Sequence, residues 1–233
     1  MSEKSAWLTI WVSPRATIRR IVAENAKKSL WILAAIYGFS AILSSFQSLS
    51  AGFVVKMLPI FILAVIFAPI WGYVAFAIWS WVVMWTGKCF KGQGDFQAIR
   101  ASYAWSCVPL VGSDLIWIAM ILLMGSQLFT PSVAQQAYPT GQTLLLLSFL
   151  LGKVVFSVWS LVIYLNALAE VQKFSILRAI GNVVFAGILI GIVAGAFCVL
   201  SMYILGVPVE QTPQPSAAFQ ILQDGVQIYK QAI

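Results

Sequence analysis

Two residues could do chemistry in an otherwise apolar setting: Asp114 and Lys153, each lying well inside a long hydrophobic stretch. Asp114 falls ~20 Å along its stretch from one end and Lys153 ~14 Å from the opposite end, at 1.5 Å per helical residue. In a ~30 Å hydrocarbon layer the two depths differ by only ~4 Å. A lone charge at that depth costs at least ~2.5–3.5 kcal/mol, so the sequence predicts a direct Lys153–Asp114 pair. A polar cavity or proton path is the functional alternative. With no His, no nearby Glu and no further relay, one pair makes a poor pathway, and a packing pair or a snorkelling lysine is the preferred reading.

Other chemistry is thinly supplied. The absence of His removes the common general base and most zinc and non-haem iron sites. Cys89, Cys107 and Cys198 form no CxxC pair and no disulfide framework. No nucleophile–base set, paired carboxylates or HExxH motif is present, and Gly92-Gln93-Gly94 lacks the strand–turn–helix context of a nucleotide loop. The sequence therefore predicts a protein that is not an enzyme, with no metal and no cofactor.

The elements that position these residues are membrane spans. Of 233 residues, 61% are hydrophobic and 9% charged, and the mean hydropathy is +0.92. A soluble domain carries roughly 25% charged residues, so bilayer is the solvent that fits. Five apolar blocks, at about 30–50, 57–86, 101–125, 144–169 and 179–206, predict an all-α polytopic protein with five transmembrane helices. The first block is too long for a cleaved signal and reads as a retained span. Residues 1–29 predict a basic amphipathic helix at the interface, starting at Ser13-Pro14, with Ile18, Ile21 and Val22 on its apolar face. Residues 30–206 form the membrane domain, and 207–233 an outer tail with a second amphipathic helix at 216–232. Pro69 with Gly72 predicts a kink in the second span, and Pro109 interrupts the third, freeing the carbonyl of Trp105.

The basic residues give an orientation. Eleven of the 14 lie in the leader, the 87–100 loop and the 170–178 turn, whereas Lys56 and Lys230 fall on the other side. The positive-inside rule places the N-terminus in the cytoplasm and the C-terminus outside, and an odd span count agrees. This distribution suits anionic lipid headgroups on the cytoplasmic side and excludes a nucleic-acid stripe.

Gly187, Gly191 and Gly195 recur on one face of the fifth span, a small-residue seam for packing against another span or a second copy; Ser40, Ser44 and Ser48 repeat the spacing. In the loops, Gly92 and Gly94 punctuate, and Asp95 is placed to cap a helix beginning at Phe96. Glu170 is placed to meet Lys173 or Arg178 across the turn. A groove around Asp114, Lys153, Tyr103, Trp105 and Pro109, together with the surface at Gly92, Gly94, Asp95, Phe96, Arg100, Glu170 and Arg178, is the candidate functional region.

Several of these elements together resemble the Yip (Ypt-interacting protein) family, particularly its small bacterial members. Pro14-Arg15-Ala16-Thr17 with Ile18 and Ile21 is similar to the family's N-terminal entry. Gly92-x-Gly94-x-Phe96, Arg100-Ala101-x-Tyr103-Ala104 and Pro109 are similar to its central stretch, and Trp159 to Leu168 with Glu170, Gln172, Ser175 and Arg178-Ala179 to its fourth-span exit. The resemblance covers about 13–206 and implies a Yip-type domain in a bacterial inner membrane. Eukaryotic relatives associate with prenylated Rab-type GTPases and shape early secretory membranes; that partner is not carried over to this chain. The expected role is non-enzymatic, in membrane organisation or as a scaffold for lipids, a protein partner or further copies. A small transporter, channel or lipid-moving protein using the Asp114/Lys153 cavity is the alternative.

Overall fold

Helices account for nearly all of residues 5–53, 55–129 and 140–204, the parts of the chain that the computed structural model describes. The expected tail helix at 216–232 and the middle of the 126–143 loop lie outside these residues. The helices are α1 (Ala6–Val12), α2 (Pro14–Asn25), α3 (Leu30–Ser48), α4 (Met57–Cys89), α5 (Phe96–Ser106), α6 (Leu110–Met124), α7 (Thr140–Gln172) and α8 (Ile176–Ile204). No strand occurs among the described residues. The chain divides into two compact units, 1–186 and 187–233. The first holds α1 to α7 and the opening turns of α8. The second holds the rest of α8.

Four helices, α3, α4, α7 and α8, are each long and apolar enough to cross a bilayer, and α5 with α6, bent by 45° at their junction, bring the number to five if the bent pair is one span. At 1.5 Å per residue, the 33 residues of α4 and of α7 each run ~50 Å, well beyond a ~30 Å core. The apolar surface of the first unit is correspondingly open. Ile66, Phe67, Trp71, Trp81 and Trp85 of α4 are all more than half exposed or nearly so, as side chains solvated by lipid would be.

The tightest contact joins α3 to α4. A Cβ on Gly38 would collide with the backbone of Ala68, and a Cβ on Gly72 with the backbone of Ala34. Two small-xxx-small pairs, Ala34/Gly38 and Ala68/Gly72, thus interlock in antiparallel register and let the two backbones touch. Gly72 was expected to help Pro69 kink the span. Gly72 also makes the α3 contact, and α4 runs as one helix through Pro69. The carbonyl that the proline leaves without its helical partner is that of Val65, on the open side of the helix.

At the N-terminus, α2 begins at Pro14 as the sequence predicts, although Ser13 makes no side-chain cap. Ile18 and Ile21 are fully buried and Val22 partly so, in one cluster with Leu30, Leu33, Trp105 and Ala167. The apolar face of α2 therefore packs on the helical bundle. A short helix not anticipated from sequence, α1, precedes it and buries Ile10 in the same cluster while leaving Leu8 and Val12 exposed.

Candidate functional site

The two intramembrane charges come to one seam. Gly112 of α6 lies under the ring of Phe156 of α7, and Gly152 of α7 lies 2.8 Å (as a Cβ) from Ile116 of α6. These paired glycines let α6 and α7 approach at the level of Asp114 and Lys153. The direct ion pair that the sequence predicts is not formed. Ion pairs among the described residues join Arg19 and Lys173 to Glu170, and Lys28 to Glu24. Asp114 instead accepts a hydrogen bond from the Ser40 hydroxyl of α3. The Lys153 ammonium sits 3.7 Å from the centroid of the Trp117 ring, and Trp117 is fully buried and stacked on Phe129. The two charges still act on each other electrostatically. A hydroxyl donor and an aromatic face each supply a local partner, and a desolvated cation–π contact is worth ~2 kcal/mol. Depth arithmetic places both residues at one level but says nothing about the angle at which each side chain leaves its helix.

Tyr103, Trp105 and Pro109 surround the α5–α6 break. Tyr103 is the hub of an aromatic cluster, 5.1–5.9 Å by centroid from Tyr37, Phe76, Trp79 and Tyr164. Trp79 Nε1 donates to the Tyr164 hydroxyl at 2.8 Å. Pro109 is buried at the start of α6. The carbonyl of Trp105, expected to be orphaned, accepts from Val108 N–H at 3.4 Å in a tightened turn. Ser160 of α7 donates to the neighbouring carbonyl of Ser106 at 2.7 Å. The break is thus satisfied from within the bundle, as a bilayer requires. The ring of Trp105 meets Trp7 of α1 edge-on, 5.6 Å between centroids.

The basic loops meet at a buried polar knot. Asp95 caps α5 by accepting from Ala98 N–H at 2.8 Å. The side-chain carbonyl of Gln172, at the end of α7, accepts from Gly94 N–H at 3.0 Å, and its backbone carbonyl accepts from Gln93 N–H at 3.1 Å. Gly87, Gly92 and Gly94 all lie against the Gln172 side chain, so Gly92 and Gly94 are small because that amide fills the space. Nearly two turns into α8, Asn182 donates to the Val83 carbonyl at 3.2 Å and accepts from the Thr86 hydroxyl at 2.6 Å. Gln172 and Asn182 are 1% and 0% exposed. Arg100 is nearly as buried, with Nη1 donating to the Tyr73 hydroxyl at 3.1 Å, Nη2 to Gln97 at 2.6 Å, and its guanidinium over the rings of Phe96 and Tyr73.

Glu170 turns to the N-terminal helix. Arg19 Nε donates to Glu170 at 2.8 Å, and Lys173 at 3.1 Å. Arg178, the alternative partner expected across the turn, lies exposed at the start of α8. Arg15 Nε donates to Asn166 at 3.2 Å, one helical turn from Glu170. α2 is therefore latched along the end of α7 by two side-chain contacts above a buried Ile18/Ile21 face. In the second unit, Gly187, Gly191 and Gly195 line one face of α8, and no described residue of that unit packs on them. The small-residue packing that the first unit does contain uses Gly38, Gly72, Gly112 and Gly152 instead.

A chain whose described residues are nearly all helical, with four or five helices able to cross a bilayer and exposed apolar faces, is an integral membrane protein of the polytopic class. The Yip1 domain family matches residues 8–206, which is most of the chain, and the protein belongs to that family. The match includes α1 to α8 apart from two residues at the start of α1, so the N-terminal helical pair is part of the family's domain. No curated protein matches the chain. No solved structure matches it either.

Proposed function

We propose that this protein is a non-enzymatic organiser of the membrane, a rigid helical scaffold that presents a basic surface to anionic lipid headgroups or to a protein partner. The distribution of Lys and Arg supports a basic end that faces the cytoplasm and a C-terminus outside, and the resemblance to small bacterial Yip proteins supports a bacterial inner membrane as its setting. The observation that carries this reading is the buried knot of Gln172, Asn182, Thr86 and the Gly92–Gly94 backbone. It fixes the ends of α4, α5, α7 and α8 to one another beneath exposed Lys88, Lys91, Lys173 and Arg178. A buried polar network of this kind, bonded through the Gln172 carbonyls and through Asn182, holds a surface in one geometry. The protein is extracted with native membrane in polymer nanodiscs and its lipids are compared with bulk membrane. The expected result is enrichment of anionic phospholipid that K88Q/K91Q/K173Q/R178Q abolishes; a wild-type composition equal to bulk overturns the reading.

A second reading, a small transporter or lipid-moving protein, draws on the half-buried Asp114 and Lys153, opposite charges at one seam that do not touch. Against it, each charge already has a structural partner, Ser40 or Trp117.

A further inference from the structure

Two helices whose backbones touch leave a furrow beside the contact. α3 and α4 meet at Gly38/Ala68 and Ala34/Gly72, and alongside they form an open groove of about 490 Å³. Ile42 and Phe46 line it from α3, and Leu63, Phe67, Ile70 and Val74 from α4. Every lining residue is hydrophobic, and Phe67 and Ile70 are half exposed or more, so the groove offers water no partner and faces the bilayer.

Steps of four, three and four residues keep Leu63, Phe67, Ile70 and Val74 on one stripe of α4 at 3.6 residues per turn. Seven residues before Leu63 the same stripe reaches Lys56, where the helix begins. Lys56 is exposed and takes no part in the ion pairs among the described residues. Residues 125–139, which join α6 to α7 at that end of the spans, include no Asp or Glu. A cation thus stands over the mouth of an apolar groove, the charge pattern that complements a phospholipid.

The dimensions favour one occupant. From Leu63 to Val74 the stripe runs ~16 Å, the depth of one leaflet in a ~30 Å core, and Lys56 lies ~10 Å farther out, towards the headgroups. A helix of a second copy, ~10 Å across, would need about 1,250 Å³ over that length. An acyl chain is thin enough to fit. We propose that this groove holds one phospholipid of the leaflet opposite the basic loops, with an acyl chain along Leu63–Val74 and the phosphodiester accepting from the Lys56 ammonium. The site is separate from the Lys88/Lys91 surface and does not depend on it, and one lipid per protein does not set the nanodisc composition.

The test uses full-length protein carrying K88Q/K91Q/K173Q/R178Q, so that the basic surface contributes nothing. It is delipidated in detergent, titrated with phosphatidylglycerol or with diacylglycerol of the same chains, and followed by native mass spectrometry. Adding K56Q should weaken the first phosphatidylglycerol about fivefold, ~1 kcal/mol for one basic residue at a headgroup, and leave diacylglycerol unchanged. F67A/I70A should weaken both lipids alike, about threefold, as dispersion contacts with the chain are lost. L122A, at an exposed leucine of α6, should change neither. A diazirine at the chain end of phosphatidylglycerol should label Ile70–Val74. Lys56, Phe67 and Ile70 are all at least half exposed or at the surface, so these variants leave the packing intact. Unchanged phosphatidylglycerol binding in K56Q, or an equal loss of diacylglycerol, overturns the headgroup contact and with it the site. Full binding in F67A/I70A, or labelling spread evenly over α6 and α7, leaves annular lipid only and overturns the groove. A dimer that excludes the lipid makes a second copy the occupant, and displacement by free glycerol phosphate overturns the lipid source. Failure of this site leaves the scaffold reading standing, and absent nanodisc enrichment in wild type overturns that reading without touching this site.

Discussion

Replacing Gly38 with alanine adds one methyl group at the point where α3 and α4 touch. The added carbon would collide with the carbonyl oxygen, carbonyl carbon and Cα of Ala68, all backbone atoms. No rotamer change in α4 removes the clash, so the helices must separate or shift. Overpacking of this kind costs typically ~1–3 kcal/mol, and a backbone obstacle belongs at the upper end. Alanine recovers ~0.8–1 kcal/mol of helix propensity over glycine, leaving a net loss of ~1–2 kcal/mol. Two further consequences distinguish this mechanism. A68G should not rescue G38A, because the obstructing atoms remain. G38A/G72A should cost less than the two single changes added together, because both strain one interface whose contacts lie ~6 Å apart along the helix, and the first separation relieves the second. Reversible unfolding in mixed micelles, followed by far-ultraviolet circular dichroism, gives the stabilities. A G38A protein within ~0.5 kcal/mol of wild type, or full rescue by A68G, would refute the backbone-contact reasoning.

Further expectations follow from single contacts. N182A removes a fully buried amide that serves both Val83 and Thr86 and should cost ~1–3 kcal/mol in the same unfolding assay. R19Q breaks an exposed-to-half-buried pair, so its stability loss should stay below ~1 kcal/mol, while limited proteolysis at the α2–α3 turn should quicken as the latch loosens. S160A unpairs the Ser106 carbonyl at the broken span and should lower stability by ~1 kcal/mol or more, with S160T restoring part of it. G191A meets no described residue of its own unit and should be neutral or stabilising by up to ~1 kcal/mol; a changed oligomeric mass for G191L would mark that face as a seam between copies.

Hydropathy made the spans legible because the bilayer imposes length and apolarity residue by residue. The break between α5 and α6 was visible in Pro109, and the α5 cap in Asp95. Which glycines carry the packing was not visible. Gly187, Gly191 and Gly195 stand in an obvious row, whereas Gly38 and Gly72 acquire meaning only when α3 and α4 are set in antiparallel register. The small residues opposite them, Ala34 and Ala68, were the available signal. The latch of Arg19 to Glu170 spans 151 positions of sequence, and no local pattern encodes such a pair. Depth along the helices brought Asp114 and Lys153 to one level, but the rotation of α6 and α7 gave each a different partner. The polar knot was half legible: Gly92, Gly94 and Gln172 stood out as polar or small residues near the turns, while Asn182 and Thr86 were single polar residues in apolar blocks.

The central claim is that the charges within the spans belong to packing and that function lies at the basic end. Flux through proteoliposomes tests it most directly, with dithionite bleaching of labelled lipid for lipid movement and a pH-sensitive dye for proton movement. Wild type and D114N/K153M should both match protein-free vesicles, with the double variant folded and stable. Flux in wild type that D114N/K153M abolishes would contradict the claim and make the Asp114–Lys153 seam a conduit.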